Sequence, residues 1–160
     1  MDLHIDDFCQ DVARVLINLH ACFPLKHAVY VEDISGPDEP DEVGLHSPRF
    51  SACLGAMLWL AEEGWIRYDT LIYQEGIDQA VLTQKAFLVL SAQSDVLYAD
   101  IPDQPLLVKQ QKATRIEQLR TAIKSKKSSQ INDMVHYLLS AAPTLILPPE
   151  PALPEEPSDH

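Results

Sequence analysis

The chain has 160 residues, 46% of them hydrophobic, and 12 Lys and Arg against 24 Asp and Glu give a net charge of −12. That length holds one domain and an appendage, and without a run of about 18 apolar residues no transmembrane helix is expected. Residues 1–108 carry 5 Lys and Arg against 18 Asp and Glu, a balance that repels polyphosphate and argues against avid, sequence-independent nucleic-acid binding by this part.

The N-terminus, Met1-Asp2-Leu3-His4-Ile5-Asp6-Asp7, has neither a basic region nor a cleavage-like site, so no signal peptide is expected. Cys9, Cys22 and Cys53 all stand among apolar residues without close pairing, as buried reduced thiols of a cytoplasmic protein do. Asp6 or Asp7 caps a first helix in which Phe8, Val12, Val15, Leu16 and Leu19 form one apolar stripe, widened by Cys9 and Ala13. Phe23-Pro24 ends it, because the residue before proline disfavours the helical region. His27 to Ile34 contains strand-favouring residues, but the stop at Ser35-Gly36-Pro37 points to a short second helix. Ser35 to His46 holds Asp38, Glu39, Asp41 and Glu42 and reads as a solvated acidic loop. It lacks the alternating ligands of a calcium loop.

Ser47 is an N-cap and Pro48 suits the first turn of a third helix, which closes at Glu62-Glu63-Gly64. At 100° per residue, Phe50, Leu54, Met57 and Ala61 share the core face, flanked by Cys53, Leu58 and Leu60. The opposite face holds Ser51, Ala52, Gly55, Ala56, Trp59, Glu62 and Glu63, small residues and a tryptophan that something apolar should cover. Trp65–Tyr68 and Asp78–Leu82 are strand-like and flank a turn at Gln74-Glu75-Gly76. Arg67 is the sole cation of this two-stranded hairpin, and Leu71-Ile72-Tyr73 make its tip more apolar than a solvated hairpin needs. Thr83 caps a helix running to about Ala92.

The run Leu60-Ala61-Glu62-Glu63-Gly64-Trp65-Ile66-Arg67-Tyr68, followed by Val81-Leu82-Thr83-Gln84-Lys85-Ala86, resembles the winged helix-turn-helix superfamily. The resemblance covers roughly Ile5 to Ala92 and implies a helix–wing–helix order, with DNA binding as one activity. Ala86 stands where glycine is usual. The acidic stretch from Ser35 to His46 replaces the usual turn of about 3–4 residues, and it sets negative charge where phosphates would sit.

Gln93 to Val108, with Pro102 and Pro105, reads as a connector. Residues 109–142 carry 7 Lys and Arg against 2 Asp and Glu. Ile116, Leu119 and Ile123 form one stripe there, and Ile131, Met134, Val135, Leu138 and Leu139 another. The polar waist between them leaves one long helix or a helix pair, and the nearly kept phase favours continuity. Lys109, Lys112, Arg115, Arg120, Lys124, Lys126 and Lys127 read either as a nucleic-acid or membrane patch or as the complement of the acidic domain, within or between subunits, and complementation is the expected role because the apolar stripe must pack somewhere. From Pro143 the chain is Pro- and acid-rich and reads as a flexible tail, with Leu145-Ile146-Leu147 as a final docked strand or turn.

The expected fold is therefore mainly α with a small β-hairpin: a winged-helix-like domain (1–92), a connector (93–108), a basic amphipathic helical region (109–142) and a tail (143–160). His20, Cys22 and His27 straddle a helix end without a tight cysteine pair, and no Gly-x-Gly cluster exists. No metal, cofactor or catalytic residue is expected, and the chain is read as no enzyme. The expected function is regulatory protein–protein contact and self-association, with a homodimer or a protein partner and no membrane. The interface would be Ala52, Ala56, Trp59, Ile116, Leu119 and Ile123. The alternative is a winged-helix transcription regulator contacting DNA through Ser47, Arg49, Ser51 and Arg67.

Overall fold

The apolar stripe of the first helix becomes the centre of the core. The computed structural model describes residues 3–95 and 105–141. The expected tail with Leu145-Ile146-Leu147, and the connector between 96 and 104, lie outside the described residues. Helix α1 spans Leu3–Cys22, and its Val12, Ala13, Val15, Leu16 and Leu19 are wholly buried. Burying each leucine contributes about 1.5–3 kcal/mol.

The next segment differs from the expected short helix. His27–Tyr30 is a strand, β1, and only Val31–Ser35 forms a helix, α2, which stops at Gly36 with φ +92°. The strand propensity of Ala28-Val29-Tyr30 wins because a neighbouring strand offers it a ladder. Arg14 Nη1 donates to the Ile34 carbonyl at 2.8 Å and ties α2 back to α1.

Helix α3 spans Pro48–Glu62, and the Ser47 hydroxyl accepts from the Phe50 N–H as the N-cap. At the other end Gly64 has φ +79°, and the Trp65 N–H donates to the Leu60 carbonyl at 2.8 Å. A left-handed residue there lets the last carbonyls find partners, which explains the glycine. Strands β2 (Ile66–Arg67), β3 (Thr70–Ile72) and β4 (Gly76–Leu82) follow. β4 pairs antiparallel with all three others, so the sheet has four strands rather than the expected two. Gly76 sits where β1 crosses closest: a Cβ there would collide with the Val29 carbonyl oxygen and the Tyr30 Cα. Thr83 caps helix α4 (Gln84–Ser91) and its hydroxyl also reaches the Gly64 carbonyl, joining two helix ends.

Three further helices follow, α5 (Leu106–Lys112), which begins inside the stretch expected as connector (93–108), α6 (Arg115–Ser125) and α7 (Ser128–Ser140). The continuous helix favoured by phase is thus corrected: Lys126 adopts φ +57° and the chain turns back. Turning lets both apolar stripes reach α1, whereas one straight helix would leave one stripe in water. Leu119, Ala122, Met134 and Leu138 are fully buried in the same core as α1. Asn132 Nδ2 donates to Asp6 Oδ1 at 2.6 Å, fixing α7 beside the start of α1. Among the described residues no helix is long and apolar enough to cross a membrane.

Candidate protein-binding groove

Between the outer side of α3 and the β3–β4 hairpin lies a groove of about 390 Å³, lined by His46, Phe50, Ser51, Leu54, Gly55, Leu58, Leu71, Tyr73 and Gln74. Leu54 and Leu58 stand one turn apart on α3 and are half-buried. Leu71 is 48% and Tyr73 90% exposed on the facing hairpin. Tyr73 has φ +48°, a conformation uncommon for a side chain of this size, at the three-residue turn between β3 and β4. Gly55 forms an open floor: nothing lies within 4 Å of where its Cβ would be.

One end of the groove is closed by His46, stacked on Phe50 with ring centroids 3.8 Å apart. Its Nδ1 is 2.9 Å from Asp38 Oδ2 and its Nε2 2.8 Å from Glu75 Oε1. Both carboxylates favour the doubly protonated ring, and the Asp38 hydrogen bond first, then that of Glu75, raises the His46 pKa. Asp38 in turn accepts from the Ser47 hydroxyl at 2.5 Å and from the Ser47 N–H at 3.3 Å, which holds its own pKa below the usual carboxylate range. The acidic loop is therefore fastened to the α3 cap and to the hairpin through one imidazole. Because the two ring nitrogens face opposite ways, the two carboxylates do not converge, and among the described residues no three such ligands could hold a metal ion.

Among the described residues no Lys or Arg lines the groove, and Glu75, next to the lining Gln74, is paired with His46. An apolar trough without cations, in residues 3–95 that carry 5 Lys and Arg against 15 Asp and Glu, suits a segment carrying apolar and cationic side chains. No protein-family model matches the chain, and no curated protein or solved structure matches it either.

The residues singled out for DNA do not form one surface. The Arg49 guanidinium is turned inward in a two-point contact with Asp11, each pair at 2.6 Å, and Asp7 lies 3.6 Å away. Ser47 is occupied by Asp38 and the helix cap. Ser51 is exposed at the groove, while Arg67 lines a separate hollow with Lys26 and Asp69. Arg49 therefore balances a buried carboxylate while its side chain stays one-third exposed, a pairing across 38 positions for which the local sequence holds no signal.

The residues expected at an interface are also distributed differently. Ile116 and Leu119 are buried in the chain's own core, and Ile123 is half-buried against it. Ala56 is buried, and Trp59 is half-buried with Phe8 edge-on to it at 5.3 Å and 77°. The start of α1 thus covers the tryptophan face. Ala52 stays exposed beside a hollow shared with Phe8 and Arg49. Leu54, expected on the core face, packs against the core and also lines the groove; the apolar tip Leu71-Ile72-Tyr73 was the sequence signal for the groove.

Two polar clusters lie elsewhere. Cys22 Sγ is 2.9 Å from His27 Nδ1, and His27 Nε2 is 2.7 Å from Asn18 Oδ1, the order of contacts a thiol nucleophile uses. Cys22, half-buried rather than wholly buried as expected, ends α1, where backbone carbonyls of Asn18, Leu19 and Leu25 surround the sulfur. Burial raises its pKa, and the carbonyl end of a helix disfavours a thiolate. His20 Nε2 is 3.3 Å from Ser91 Oγ beside a hollow of about 360 Å³ bounded by α5 and α6. Burial, then Arg120, lowers the His20 pKa. Ser91 closes α4 at its carbonyl end, the wrong helix pole for stabilising an oxyanion.

Proposed function

We propose that this chain is a non-enzymatic regulatory module of winged-helix type that works by docking a protein segment in the α3–hairpin groove. The order helix, strand, helix, helix, hairpin, helix supports the winged-helix reading. One observation carries the functional reading. The solvent-facing side of α3 beside the hairpin is an apolar trough, and the one cation of α3, Arg49, is paired with Asp11. Base edges are read by Arg, Lys, Asn and Gln, and phosphates by clustered cations; this surface suits neither. Leucine side chains meeting Leu54, Leu58, Leu71 and Tyr73 would instead supply the buried centre that protein interfaces need.

A displayed-peptide selection against the whole chain tests the proposal. Peptides pairing apolar with basic residues should be enriched and should lose binding to Gly55→Arg, which fills the groove floor. A parallel selection with genomic DNA fragments at low and moderate salt should enrich no sequence. Enrichment of DNA that is abolished by Arg67→Glu, with no groove-dependent peptide, would overturn the reading in favour of a DNA-binding regulator.

A further inference from the structure

We infer that the segment seated in the groove is helix α5 of a second copy of this chain, joining molecules head to tail. The inference rests on the groove being a protein-docking site and adds the identity of its occupant. Helix α5 is the reciprocal surface. None of its residues is buried, and Leu106 and Leu107 are 70% and 74% exposed side by side. Two adjacent leucines held in water are unfavourable relative to burial, and a seven-residue helix gains little from its own hydrogen bonds. The groove offers leucine and tyrosine surfaces of matching character.

Charge supports the same pairing. Residues 3–95, which build the groove, carry 5 Lys and Arg against 15 Asp and Glu; residues 105–141, which present α5, carry 7 against 2. Opposite fields on the two ends steer one molecule's α5 toward another's groove and disfavour groove-to-groove contact. Within one molecule α5 packs on α6, while the groove belongs to α3 and the hairpin. The contact is therefore heterologous, and such contacts continue into longer assemblies unless the rotation closes a ring.

Two variants of the full chain isolate the two halves of the contact. Gly55→Arg blocks the groove; the added Cβ meets nothing within 4 Å and the change favours the helix, so the fold is kept. Leu106→Glu with Leu107→Glu blocks α5 at exposed positions, where substitutions leave stability nearly unchanged. By sedimentation velocity, wild type should grow in mass with concentration, and each variant alone should remain monomeric. An equimolar mixture of the two should form a one-to-one dimer and nothing larger, because only one intact groove and one intact α5 remain.

Wild type that stays monomeric into the millimolar range would overturn the inference. So would association that either variant leaves unchanged, or a mixture that fails to pair while wild type assembles. Groove-dependent peptides selected by a monomeric wild type would leave the docking function standing and remove only the second copy as occupant.

Discussion

Replacing Arg49 by methionine should destabilise the protein through Asp11 and not through any surface function. Asp11 is 1% exposed, and both its oxygens accept from the guanidinium at 2.6 Å, so the substitution leaves a carboxylate buried without its charge partner. Breaking a buried pair in this way costs about 3–5 kcal/mol. The Arg49 side chain is one-third exposed, so solvent already screens part of the attraction and the lower figure, about 3 kcal/mol, applies. For a chain of this size that is a fall of roughly 6–12 °C in Tm. Urea unfolding followed by tryptophan fluorescence should show a lower midpoint at unchanged slope. Asp11→Leu combined with Arg49→Met should recover most of the loss, because a neutral pair carries no desolvation penalty. An Arg49→Met variant within about 0.5 kcal/mol of wild type, or a strictly additive double-mutant cycle, would refute the reasoning.

Gly76→Ala should push β1 away from β4 and cost about 1–3 kcal/mol, read as faster amide exchange at Val29 and Tyr30, since the new methyl collides with backbone rather than a yielding side chain. The His46 latch should be pH-dependent. The raised His46 pKa makes its contribution full below the ordinary imidazole value of 6.5 and lost as pH rises through the folded value. The lowered Asp38 pKa makes its contribution present above 3.8 and lost as pH falls through the folded value. The Tm difference between wild type and His46→Gln should therefore peak between those limits, and a difference equal at pH 5 and pH 9 would contradict the latch. At pH 8 a disulfide reagent should find one accessible thiol, Cys22. Burial pushes Cys9 up to about 11 and Cys53 up to about 12, so both should react only on unfolding. Protection of Cys22 with rapid labelling of Cys53 would reverse that order.

Much of the fold was legible where the signal is contained within one or two turns of chain. Ser47 with Pro48, Gly64 and Thr83 each mark a helix end, because capping is a hydrogen bond to the third or fourth residue along and needs no distant partner. The stripe from Phe8 to Leu19 likewise fixes which side of α1 is buried, since helical spacing alone decides it. The mainly helical class with a small antiparallel sheet followed from such signals.

What the tertiary structure decided depends on residues far apart. His27–Tyr30 became a strand because β4 had a free edge to pair, a fact about residues 76–82. Residues 109–142 broke at Lys126 because two stripes had to reach one helix. Angular position on α3 placed Leu54 on the core side, where it packs, but only the facing hairpin makes it a wall of a groove as well. Arg49 looked available to a phosphate until the packing of α1 on α3 brought Asp11 to it. Local hydrogen bonding and side-chain period are written in neighbouring residues; edge pairing, buried charge partners and the walls of a groove exist only once distant segments have met.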